Sequence, residues 1–157
     1  MSTKTIKLKN GTRVTRLVAA NDNVPEWKLQ AEQCRRLRQM PEYGRSFLLV
    51  GGMEAGKRGP RAATIAKATG LTAGHPDLTI FLPGGRCAFI ENKTEAAAQK
   101  KKRSNGLDPA QIERHEALRR LGHMVAVIVA SKEEDAAEQS VAIVRGWLAG
   151  NDNEDKA

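Results

Sequence analysis

Asp77-Leu78-Thr79-Ile80-Phe81-Leu82, then Pro83-Gly84-Gly85-Arg86, then Cys87-Ala88-Phe89-Ile90-Glu91-Asn92-Lys93 reads as two apolar runs around a turn, the signature of a β-hairpin. A turn centred between Gly84 and Gly85 puts position 77 opposite roughly position 92 in regular antiparallel register. Side chains alternate along a strand, so Glu91 and Lys93 share a face with Cys87 and Phe89 while Asn92 points away. Asp77, Glu91 and Lys93 are therefore expected to converge at one end of the hairpin. Two carboxylates and an ammonium suit a hard divalent cation and an activated water. The plainer reading of the same charges is a surface ion pair between Glu91 and Lys93, which contributes little.

Working outward, Asp22 or Asn23 can cap a helix that opens at Pro25, and apolar residues at 27, 31, 34, 37 and 40 carry a helical period to Met40. In this reading Trp27, Ala31, Cys34 and Leu37 form the inward stripe, Glu26 and Gln30 lie within or beside it, and Glu32 lies nearly opposite. Glu26 is then a candidate third carboxylate at a buried face, or an acid that simply favours the helix N-terminus. Ser46 to Val50 reads as a short buried strand, Pro60 opens a helix closed by Gly70, and Asp108-Pro109 caps and starts a helix through Leu121. Met124 to Ala130 is a buried strand, and Lys132 to Leu148 an amphipathic helix. The expected order is α, β, α, β, β, α, β, α, a mixed α/β domain with a short central sheet between helices.

The chain has 157 residues, enough for one packed domain. Lys and Arg outnumber Asp and Glu by 26 to 18, a formal +8, which points to a polyanionic partner. Three segments are expected: a flexible basic arm or loosely docked hairpin over 1–24, a folded domain over 25–148, and an acidic flexible tail over 149–157. The folded segment alone holds 20 cations against 14 anions, so the excess belongs to the domain. The longest clean apolar run, Met124 to Ala130, is far short of the roughly 20 residues of a membrane helix, and no apolar signal region follows the first lysines. A cytoplasmic protein is expected. Cys34 and Cys87 are the only cysteines, and their spacing indicates neither a disulfide framework nor a zinc site.

Gly51-Gly52-Met53-Glu54-Ala55-Gly56-Lys57 superficially matches a phosphate-binding loop, but Arg58, Gly59 and Pro60 follow where Ser or Thr and an immediate helix are required. Lys57, Arg58 and Arg61 fit better as contacts to DNA phosphates. Lys100, Lys101, Lys102 and Arg103 follow Lys93 closely and read as a phosphate clamp or as a solvated run. Three Phe, two Trp and one Tyr are too few for a stacking platform, so duplex or branched DNA is the better ligand. His115 and His123 are read as surface or element-end residues and His75 as a loop residue.

Taken in order, Gly74-His75-Pro76-Asp77-Leu78, Glu91-Asn92-Lys93, Gln111 early in the next helix and Gly122 before an apolar strand resemble the VRR-NUC (virus-type replication-repair nuclease) branch of the PD-(D/E)xK nucleases. The resemblance runs from about Glu26 to Leu148. It implies a restriction-endonuclease-like core and an Mg²⁺- or Mn²⁺-dependent endodeoxyribonuclease. By the same resemblance Asp77 and Glu91, with Glu26, would be metal ligands, Lys93 the catalytic lysine and Gln111 its supporting glutamine. A homodimer acting on branched DNA such as four-way junctions or flaps, and a phage or prophage origin, are likewise implied. The sequence departs from the family at His75 and Asn92, which stand where apolar residues are usual, and in the long Thr94–Leu107 connection. The competing class is a non-catalytic basic DNA-binding module.

Overall fold

The computed structural model describes residues 3–7, 13–17, 24–52 and 59–150. Six strands, β1 (Thr3–Lys7), β2 (Arg13–Leu17), β3 (Leu48–Gly51), β4 (Leu78–Phe81), β5 (Cys87–Thr94) and β6 (Met124–Ala130), form one mixed sheet in the order β1-β2-β6-β5-β4-β3. Among the described residues five α-helices accompany them: α1 (Glu26–Arg38), α2 (Pro60–Ala68), α3 (Glu95–Lys100), α4 (Pro109–Arg120) and α5 (Glu133–Leu148). Strands β5 and β6 are parallel, with α3 and α4 in the crossover between them, whereas β3, β4 and β5 form an antiparallel meander. A parallel pair needs such a long connection, and an antiparallel one needs only a turn.

Alternation along β5 and β6 assigns the two faces. Ala88, Ile90, Ile128 and Ala130 pack with Leu29 and Leu37 of α1 and with Ala136, Val144 and Trp147 of α5. On the other face Val127 and Val129 pack with Ala98 of α3, Leu107 and Val14, and Phe89 and Val125 pack with Leu118 of α4. Burial on both faces accounts for the nearly uninterrupted apolar composition of β6. Each fully buried Leu or Ile contributes about 1.5–3 kcal/mol. Among the described residues no helix is long and apolar enough to cross a membrane.

Several expectations are corrected. Within the segment expected as a flexible arm or loosely docked hairpin, β1 and β2 form an antiparallel pair, in line with the hairpin alternative, and β2 runs parallel to β6, which adds two strands to the expected order. The strand expected to be buried at 46–50 is β3, which exposes Leu48 and Val50 because it is the edge strand of the sheet. The capping role assigned to Asp22 or Asn23 and most of the acidic tail fall outside the described residues. Helix α1 faces inward through Leu29, Gln33 and Leu37, while Trp27 is 58% exposed; the stripe was misplaced because one of its members is polar. The Thr94–Leu107 connection is not an open loop. Thr94 caps α3 by accepting from the Ala97 N–H at 3.1 Å, and a 3₁₀ turn follows at Lys102–Ser104.

The register of the hairpin differs by one residue from the expected one. Leu78 pairs with Ile90 and Phe81 with Cys87, and the Leu82 N–H donates to the Arg86 carbonyl at 2.9 Å. The connection is thus the three residues Pro83–Gly85, centred on Gly84, and the register continued past Leu78 sets Asp77 opposite Glu91, on the same face.

Asn92, on the opposite face, is fully buried and exchanges two hydrogen bonds of 2.7 Å with the amide of Gln33. This reciprocal pair ties α1 to β5 and explains why two amides occupy apolar surroundings. Leaving one of them buried and unpaired costs about 1–3 kcal/mol, whereas removing both together is nearly neutral. Urea unfolding of Asn92→Leu, Gln33→Leu and the double variant is therefore expected to show each single change costing more than the pair. Additive losses would remove the coupling.

Candidate active site

Four elements bring the charged side chains together. Asp77 precedes β4, Glu91 and Lys93 lie near the end of β5, Gln111 sits in the first turn of α4, and Glu26 begins α1. Gly74 fastens the approach to β4. Its φ is +78°, and a Cβ there would collide with the backbone of Ala110 and Gln111, so only glycine lets this loop lie against the N-terminus of α4. Asp77 is held at both ends: its carbonyl accepts from Gly52 N–H at 2.6 Å and from the Gln30 amide at 3.3 Å, and its Oδ2 accepts from the Asn92 N–H at 2.8 Å.

Glu91 is 1% exposed. Gln111 Nε2 donates to its Oε1 at 2.5 Å, while Gln111 Oε1 accepts from the Asp108 N–H at 2.9 Å. The same glutamine therefore closes the capping box of α4 and points its amide at the carboxylate, so the helix start orients Glu91. Lys93 Nζ lies 3.2 Å from Glu91 Oε1 and 3.6 Å from Glu26 Oε1. Gly106, at φ +87°, lies against the lysine stem, where a Cβ would come within 3.2 Å of Lys93 Cδ.

The electrostatics follow from this packing. Burial, and then the neighbouring charge of Glu91, push the Asp77 carboxyl up to about 7 despite the Asn92 N–H and Lys93. Burial alone would lower Lys93, but the negative charges of Glu91, Glu26 and Asp77 outweigh it and hold the ammonium above its ordinary range. At neutral pH Lys93 is thus a donor of hydrogen bonds, not an acceptor of protons. A partly buried acid raised by desolvation and by a second acid opposite it is a site that gains from a cation. Among the described residues no three carboxylate, imidazole or thiol groups come close enough to hold an ion unaided. Glu26 reaches Lys93 and is not gathered with the other two acids as a third ligand. A pair of acids nevertheless suits Mg²⁺, which is commonly held by one or two carboxylates and completes its shell with water and phosphate oxygen.

Of the other expected residues, Glu32 is spent on Arg35, with Oε1 2.5 Å from Nη2, which separates it from Glu26. Lys57 and Arg58 lie outside the described residues. Arg61 is exposed on α2, and Lys100, Lys102 and Arg103 are exposed. Lys101 is ion-paired with Asp108 at the start of α4, so part of the basic run fastens the α3–α4 connection.

His115 was misread as a surface residue. It is fully buried one turn after Gln111, and its Nε2 is 3.7 Å from Glu91 Oε2. Burial, with the charges of Arg119 and Lys93, pulls its imidazole down to about 4, so it is neutral at pH 7. The legible signal was helical spacing: Gln111, His115 and Leu118 share one face of α4. His123 Nδ1 is 2.9 Å from the Cys87 carbonyl oxygen, and its ring meets Phe89 edge-on.

No protein-family model and no curated protein matches the chain. Among solved structures, one described as "VRR_NUC domain protein" is 20% identical, covers 82% of this chain and 92% of its own, and superposes with a TM-score of 0.53. Another, described as "VRR_NUC domain", is 22% identical, with 76% and 94% covered and a TM-score of 0.43. The first likeness shows that the chain has the fold of a VRR_NUC domain, the restriction-endonuclease-like α/β architecture that the resemblance implied.

The two displaced pKa values carry opposite pH dependences in metal-free protein. Folded Asp77 keeps its proton up to about pH 7, against 3.8 for an ordinary aspartate. Its contribution to stability is present below that lower value and lost as pH rises through 7. Folded His115 stays neutral down to about pH 4, against 6.5 ordinarily, so its contribution is present above 6.5 and lost as pH falls towards 4. Between these limits the two oppose each other. With chelator present, urea unfolding of His115→Gln is expected to show stability falling with rising pH more steeply than the parent, and Asp77→Asn the reverse slope. Profiles parallel to the parent's in both variants would contradict the assignment.

Proposed function

We propose that the chain is a metal-dependent endodeoxyribonuclease that hydrolyses phosphodiester bonds in DNA. The observation that carries this reading is the partly buried Asp77 at the start of β4, opposite the fully buried Glu91 of β5, with the Lys93 ammonium 3.2 Å from Glu91. The VRR_NUC fold and the positive charge of the chain support it. Asp77 and Glu91 would hold Mg²⁺ or Mn²⁺, with Glu26 acting on the site through Lys93. When bound, the cation supplies Lewis-acid stabilisation of charge on the scissile phosphate and lowers the pKa of the attacking water.

The chain's own groups do the rest. Gln111 fixes the orientation of Glu91 by donating to Oε1. Lys93 donates hydrogen bonds to water or phosphate oxygen from an ammonium that stays charged, and so orients the nucleophile without removing its proton. The exposed cations Arg61, Lys100, Lys102 and Arg103, with Lys57 and Arg58, contact the DNA backbone. Branched DNA as substrate and a homodimer as the working form rest on the family resemblance; a twofold pair of sites would cut two strands symmetrically.

The test is cleavage of end-labelled duplex, flap and four-way-junction DNA with Mg²⁺ or Mn²⁺ and with chelator. The unaltered chain is expected to cut only with the metal. Glu91→Ala and Lys93→Ala should lose at least about a hundredfold in rate while binding DNA within a few fold of the parent. Binding without metal-dependent cleavage by the parent would establish the DNA-binding module instead.

A further inference from the structure

Arg114 lies on α4 one turn beyond Gln111, roughly 4.5 Å further along the helix axis. It is only partly exposed, and its Nε is buried without a hydrogen-bond partner among the described residues. No carboxylate among those residues lies within ion-pair distance of it. Its one hydrogen bond there is from Nη2 to His75 Nδ1 at 3.5 Å. A guanidinium has donors only, so the ring nitrogen accepts and the His75 proton sits on Nε2. The partner of this cation is therefore a neutral ring. That ring is itself fixed edge-on against Phe89, with centroids 5.5 Å apart.

Two other helix arginines differ from it in having a carboxylate partner. Arg35 is neutralised by Glu32, and Arg120 Nη1 is 3.7 Å from Glu116 Oε1. Arg114 is held by its neighbours but not neutralised by them, and His75 stands two residues before Asp77. A partly buried guanidinium of this kind is complemented by an anion, and a planar fork of donors matches phosphate oxygens in particular.

We propose that Arg114, oriented by His75, binds a backbone phosphate of the DNA strand adjacent to the scissile phosphate at the proposed cation site of Asp77 and Glu91. The assignment rests on the nuclease reading for the identity of its ligand, and it makes Arg114 a binding residue that sets where the strand lies. A phosphate contact carries no base information, so the effect is uniform across sequences.

The experiment measures equilibrium binding to a labelled duplex and a labelled four-way junction in chelator, over a series of KCl concentrations, for the parent, Arg114→Gln and Arg114→Lys. Loss of one phosphate contact removes about 0.9 from the slope of log affinity against log salt. Arg114→Gln is expected to lose that amount and to bind severalfold more weakly on every sequence, whereas Arg114→Lys retains the slope. A parental slope in Arg114→Gln overturns the proposal. So does an equal loss of slope in both variants, which would mark a packing role, or no salt-dependent binding by the parent. Cleavage by the parent in Mg²⁺ is read in parallel. Its absence would defeat the nuclease reading, while the chelator slopes would still judge Arg114.

Discussion

The register of β4 against β5 is the constraint on which the site depends. The three-residue connection Pro83–Gly85 pairs Leu78 with Ile90, and the next step places one carboxylate across from another. Strands displaced by a single residue would turn one of these side chains to the other face of the sheet. The register is held by burial: Leu78, Ile80, Ala88 and Ile90 are all fully buried against α1 and α5, and a slip would expose them. Packing on one face thereby fixes chemistry on the other.

Around the acid pair, the protein supplies orientation and leaves the repulsion largely in place. Gln111 and the Asn92 N–H each satisfy one carboxylate oxygen, and Lys93 offsets part of the charge. Asp77 nevertheless stays well above the usual carboxylate range. His115, kept neutral by burial, adds no compensating charge. A site built only for stability would have replaced one acid or paired both with cations. Retained acid–acid repulsion of this kind is what a divalent ion relieves, and perturbed acids of this sort concentrate at functional sites.

Much of the architecture was legible in the sequence. The hairpin, the Met124–Ala130 strand and the proline-led helices at 60 and 109 were signalled by local rules of alternation, apolar runs and helix starts, and the structure places them within a few residues. The convergence of Asp77, Glu91 and Lys93 followed from strand alternation and the position of the turn, whereas the helical stripe used to favour Glu26 over Glu32 was misplaced. What was hidden depended on distant partners. Gln33 looks unfit for a buried stripe until Asn92, 59 residues away, is seen to match it. Lys101 reads as a free cation until Asp108 captures it. His115 reads as an exposed helical residue until Glu91 of β5, 24 residues before it in the chain, is seen beside its ring. The one-residue difference in register came from a turn of three residues, whose length local composition does not specify.

The central claim is that the acids on β4 and β5 form a cation site. Its most direct measurement is calorimetric titration of the chain with Mn²⁺, at pH 6 and pH 8, for the parent, Asp77→Asn and Glu91→Gln. The account predicts Mn²⁺ binding by the parent that strengthens from pH 6 to pH 8, as Asp77 gives up its proton through about 7, and that is lost in both variants. Binding of equal strength in the parent and in either variant, or none at pH 8, would contradict it.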